Sequence, residues 1–137
     1  VLARACAVSA EPVVEPERLV GWARQAADAE PMAPGRLHIL GLAYYRAGKF
    51  ESAVECADRS AKAGWQNSAE GALNELVLAL SHHRMGHTAE ARTWLAKARK
   101  RVEQFTPAAA LLSQVPSPDW VEIQLLRLEA EELLKTE

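Results

Sequence analysis

The sequence predicts an all-α fold made of helical hairpins set side by side. Three observations carry that expectation: an Ala- and Leu-rich composition, an apolar pattern that recurs at a fixed offset, and glycines standing where helices should end. Ala and Leu lose little side-chain entropy in a helix, whereas Ile, Phe and Thr are scarce here. With 137 residues, 49% of them apolar and 25% charged, the chain has the length and mix of one ordinary domain.

The elements follow in order. Leu2-Ala-Arg-Ala-Cys6 stands 38 residues before Leu40-Gly-Leu-Ala-Tyr44, while Leu19, Ala23 and Pro31 precede Ala53, Ala57 and Trp65 by 34. This predicts a degenerate hairpin over 1–31 whose turn, between Ser9 and Pro16, is longer by four residues. The next two hairpins, over 34–64 and 68–105, are in register at an offset of 38. Leu40, Leu42, Arg46 and Gly48 fall on Leu78, Leu80, Arg84 and Gly86; Ala53, Ala57 and Ser60 fall on Ala91, Leu95 and Ala98. Gly48 and Gly86 occupy the place where a left-handed residue closes a helix, and Thr88 can cap the helix that follows. In that helix Ala91, Leu95, Ala98, Val102 and Phe105 form one stripe at helical spacing. Small residues at Gly41, Ala53, Ala79 and Ala91 allow close helix approach. One such hairpin cannot bury its own apolar face, so neighbours must stack.

A turn at Ala63-Gly64-Trp65-Gln66-Asn67 joins these two hairpins, and Pro107 to Pro116 reads as a connector. Ser117-Pro118-Asp119 offers an N-cap, a first-turn Pro and an acid, which predicts a capping helix over 117–135. Its stripes are Val121, Leu125 and Leu128, then Leu126, Ala130 and Leu133, with Glu122, Glu129, Glu131 and Glu132 on the polar side.

Charge and motifs exclude several functions. A net charge of -2 gives no reason to expect a nucleic-acid partner. The run Lys97-Ala-Arg-Lys-Arg101 reads as a solvated helix end matched to the helix dipole. No apolar stretch approaches the roughly 20 residues that cross a bilayer, so no membrane partner is expected. Cys6 and Cys56 form no CxxC pair and read as reduced core residues, which suits a cytoplasmic setting. A chain beginning at Val1 fits an excised piece of a longer protein. There is no phosphate-cradling Gly-rich loop and no GxSxG elbow, so neither an enzyme nor a cofactor is expected. His83 and His87 have a spacing that can share a metal on a helix, but Gly86 ends the helix between them, and no nearby carboxylate or Cys completes a set. No metal site is expected. His82 instead takes the packing position of Tyr44, with His83 in the groove and His87 in the turn.

Leu40-Gly41, Tyr44, Gly48, Phe50 and Ala53 resemble the tetratricopeptide-repeat (TPR) pattern of Leu-Gly-x2-Tyr, Gly, aromatic and Ala. The second copy departs from it at Ala79, His82 and Thr88. The strings Leu40 to Phe50 and Leu76 to Gly86, and the helix from Trp120 to Leu134, are also similar to TPR segments of planctomycete-type bacterial proteins. In that group such segments accompany Ser/Thr kinases or WD-repeat propellers. The resemblance implies a right-handed α-α superhelix, a TPR solenoid of about three hairpins plus a C-terminal capping helix.

It also implies a concave groove lined by Arg4, His38, Leu42, Tyr45, Arg46, Leu76, Leu80, His83 and Arg84. Such a surface suits an apolar peptide or partner helix carrying an acidic group, since Arg grips carboxylates bidentately. Two alternatives stay open: Leu42 and Leu80 could pack beneath neighbouring helices, and Arg46 and Arg84 could simply complement helix dipoles. Chaperone-tail binding is disfavoured, because His38, Leu42 and Leu76 stand where Lys and Asn would be needed. The expected function is a non-catalytic scaffold that binds a protein or peptide, including another part of the parent chain. A regulatory appendage of a larger enzyme such as a kinase, or a homo-oligomerisation module, is the alternative.

Overall fold

A computed structural model describes residues 2–8, 14–112 and 118–135. Within them lie seven α-helices: α1 (Leu2–Val8), α2 (Pro16–Ala29), α3 (Pro34–Arg46), α4 (Phe50–Ser60), α5 (Gly71–Arg84), α6 (Thr88–Leu112) and α7 (Pro118–Lys135). Helices adjacent in sequence pack on one another, most extensively α5 and α6. The expected Ser9–Pro16 turn and the Ser117 cap fall wholly or partly outside the described residues.

Local chemistry sets most of the boundaries. Pro16, Pro34 and Pro118 open α2, α3 and α7, where a missing N–H costs nothing and φ is already helical. The ends of α3 and α5 are built alike. Gly48 (φ 78°) and Gly86 (φ 82°) are left-handed, and Lys49 and His87 each donate a backbone N–H back to the helix, to the carbonyls of Tyr44 and His82 at 2.8 Å. Thr88 does not precede α6 but is its first residue. The carbonyl that accepts the first helical bond, from Ala91 at 2.9 Å, belongs to His87.

The small residues sit at close approaches, as expected. A methyl group on Gly41 would stand 3.1 Å from Cys56 Cβ, so α3 and α4 touch there nearly backbone to backbone. Ala53, Ala57, Ala91, Leu95, Ala98 and Ser60 are all buried. Between α4 and α5 the chain makes a π-helical turn at Ala61–Trp65, broken at Gly64 (φ 151°). Trp65 then folds in against the His38 ring, with ring centres 5.8 Å apart.

Two elements differ from the sequence reading. α6 runs on to Leu112, past Pro107, so part of the expected connector is helix and residues 113–117 lie outside the description. The basic run is therefore mid-helix. Its dipole role disappears, and Arg101 turns inward to grip buried Glu75 with two bonds (2.7 and 3.3 Å) and the Ser68 carbonyl at 2.9 Å. The second difference is α5, which is buried on every side from Gly71 to Ser81. A helix surrounded in this way is the centre of the domain: α3, α4, α6 and α7 all pack on it. Two of its buried polar residues are paired, Glu75 with Arg101 and Asn74 Nδ2 with Ser60 Oγ at 3.0 Å.

Candidate functional site

The face made by α1, α3 and α5 carries the residues expected to line a groove, and α7 lies against it. α7 packs directly on α5, α6 and α1. It reaches α3 through long charged side chains. Its inward stripe of Ile123, Leu126, Ala130 and Leu134 joins one apolar core with Leu42, Leu76 and Leu80.

Two glutamates complete the attachment. Glu122, 2% exposed, takes Arg4 Nε at 2.7 Å on one oxygen and His38 Nε2 at 2.6 Å on the other. Burial alone pushes the Glu122 carboxyl up, but the His38 hydrogen bond and the charges of His38 and Arg4 outweigh it, so the group sits below the ordinary 4.5. Two turns later Glu129 receives both terminal nitrogens of Arg46, at 2.6 and 2.7 Å, a bidentate clamp. Arg46 Nε and Nη2 also donate to the carbonyls of Ala7 and Val8, the last of α1. One guanidinium thus closes the end of α1 and fastens α3 to α7.

The expected groove residues therefore divide. Leu42, Leu76 and Leu80 are at most 1% exposed, and His38 is equally buried, so they serve the core and the α7 contact. Contact with a ligand from solvent, expected for these four, is closed to them in this arrangement. Arg46 is more than a dipole partner, since its bonds span three helices. His83 is half-buried near the end of α5. Tyr45, Arg46 and Arg84 come together in an open cleft of about 680 Å³, completed by Phe50, Leu128, Glu129 and Leu133. Tyr45 lies tilted against Phe50 (5.7 Å between ring centres), and its hydroxyl accepts a bond from Arg84 Nε at 3.2 Å. Burial raises the Tyr45 hydroxyl, against the pull of Arg84, so Tyr45 stays a neutral phenol at physiological pH. Arg84 itself is exposed.

Glu122 and Glu129 were not legible as site residues. They read as part of a solvated face, although each lies in line with the stripe of Leu126 and Ala130 that turned out to be buried. The other predicted stripe, Val121, Leu125 and Leu128, is 44%, 49% and 57% exposed and runs along α7 to the cleft. Cys6 and Cys56 are free and buried, and burial pushes the Cys56 thiol up to about 11, so it is inert. No described helix is long and apolar enough to cross a membrane. Compared with known proteins, the sequence matches no family model and no curated protein.

Proposed function

We propose that this chain is a non-catalytic, TPR-like interaction module that takes a segment of a partner protein in the cleft beside α7. The reading rests on one observation: the face of α1, α3 and α5 holds an acid-bearing apolar helix, its own α7, through Arg46 and Glu129. A surface that accommodates that chemistry once suits a second segment of the same kind. The open cleft repeats the ingredients, with an exposed cation at Arg84, aromatic walls at Tyr45 and Phe50, and an apolar rim at Leu128. The two caps of matching geometry, 38 residues apart, support the repeat-like reading of α3–α4 and α5–α6.

The expected ligand is an extended or helical segment presenting one carboxylate to Arg84 and an apolar side chain to Phe50 and Leu128. Recovery of bound protein by the wild-type chain and by Arg84→Glu tests this. The variant should lose most of the bound partner while keeping its helical circular dichroism. Equal recovery by both would sink the proposal.

A further inference from the structure

The cap that ends α5 assembles three metal-binding groups that linear spacing does not pair. In a Schellman closure the third residue from the helix end and the second residue beyond it come face to face, usually as an apolar contact. Here those residues are His82 and His87, brought together by the left-handed Gly86 and the His87 N–H to His82 carbonyl bond of 2.8 Å. Their rings lie 5.4 Å apart, and the two Nδ1 atoms stand 3.1 Å from each other. His87 also provides the carbonyl that starts α6, so Glu90, three residues on, is directed back toward it as in a capping box. A Glu90 carboxylate oxygen stands 3.5 Å from His82 Nδ1. All three ligand atoms lie within 4.8 Å of one another.

These separations can be compared with what a metal needs. Zinc binds imidazole nitrogen at about 2.0–2.1 Å and carboxylate oxygen at about 2.0–2.2 Å, and tetrahedral ligands at such bond lengths are about 3.3–3.5 Å apart. The 3.1 and 3.5 Å edges bracket that value. Without a metal, the two neutral imidazoles can satisfy their facing nitrogens only by one ring donating to the other, which fixes opposite tautomers. The chain supplies its own control. The same cap at Gly48 carries Tyr44, Lys49 and Ser52 at the corresponding positions, so the closure itself does not require metal-binding side chains.

We propose that His82 Nδ1, His87 Nδ1 and Glu90 form a three-ligand site for a divalent transition ion, zinc foremost, with a fourth position open to water or to a ligand atom from outside. Nitrogen, nitrogen and carboxylate oxygen suit a borderline ion of this kind, and three protein ligands leave one coordination site free. His82 is only 13% exposed, which holds its ring in place, while His87 and Glu90 lie open to solvent and give the ion a path of entry. Bound metal would tie the last turn of α5 to the first turn of α6.

The full chain, freed of any affinity-tag histidines and treated with chelator, is titrated with Zn²⁺ by calorimetry and with Co²⁺ by visible absorption. One ion per chain is expected, with a cobalt spectrum of low-symmetry tetrahedral type. Loss of an outer partner of a metal ligand costs about 10- to 100-fold in affinity, so His87→Ala, which removes a direct ligand, should cost more than about 100-fold. The triple variant His82→Tyr, His87→Lys, Glu90→Ser writes the first cap into the second; it should keep its helicity and lose the site. His83→Gln, outside the cluster, should bind as the wild type does. The proposal is overturned if zinc fails to bind stoichiometrically, if His87→Ala binds as tightly as the wild type, or if His83→Gln loses the ion equally.

Discussion

Glu122 is the residue through which α1 and α3 hold the start of α7. Its carboxylate is buried with a partner on each oxygen, an arrangement that stabilises only while the group is charged. Its folded-state pKa lies below the ordinary 4.5, so the unfolded chain binds the proton more readily. The contribution is thus fully present above about pH 4.5 and is lost as pH falls through the lower folded value. Glu122→Gln keeps the shape and removes the charge. It should cost about 1.5–3 kcal/mol at neutral pH, the worth of hydrogen bonds to a charged group. Thermal unfolding followed from about pH 6 to about pH 3 should fall less steeply for the variant than for the wild type. Parallel slopes would place the acid sensitivity elsewhere.

At the scale of elements, α7 has two apolar stripes with different fates. Leu126 is fully buried, and truncating it to Ala should cost about 2–5 kcal/mol in urea unfolding, from lost burial plus the cavity left behind. Leu125, 49% exposed on the other stripe, should change stability by no more than about 0.5 kcal/mol on the same truncation. Equal losses would mean that both stripes are covered. The sequence legibly marked α7, its start at Pro118, the Val121–Leu128 stripe and the Leu126–Ala130 part of the other, whose buried residues are also Ile123 and Leu134 in place of the expected Leu133. It did not say which stripe faces inward, because periodicity reports shared faces and is silent about what lies opposite. Glu122 and Glu129 were not legible for the same reason, since their partners Arg4, His38 and Arg46 sit on helices distant in sequence. The ends of α3 and α5 were legible in Gly48 and Gly86, whose left-handed geometry is a local matter. The His82–His87 contact and the nearby Glu90 carboxylate were not legible, because Gly86 marks a helix end in the sequence without showing that the chain folds back there to set His87 on His82.

On the scale of the whole molecule, α7 changes how the seven described helices should unfold. An open row of hairpins has only nearest-neighbour contacts, and its ends can fray independently. Here α7 packs on α6 and α5 and also on α1, so the first helix and the last share an interface. Denaturation monitored by tryptophan fluorescence (Trp22 in α2, Trp65 after α4, Trp94 in α6 and Trp120 in α7) and by circular dichroism should therefore give coincident transitions. Arg46→Ala, which cuts the link among α1, α3 and α7, should separate the two curves. A wild-type chain with already separate transitions would show that the ends are not coupled.

The α1–α7 contact also acts as a gauge of length. Stacked hairpins lengthen readily by duplication, since each new unit needs only a neighbour. Packed helices stand about 8–10 Å apart, so one extra hairpin between α3 and α5 would carry α7 roughly that far or farther from Arg4 and His38. Glu122 would then be left buried or stranded without its partners. A chain closed by this contact should tolerate changes of side chain along its outer faces far better than the insertion of an extra pair of helices.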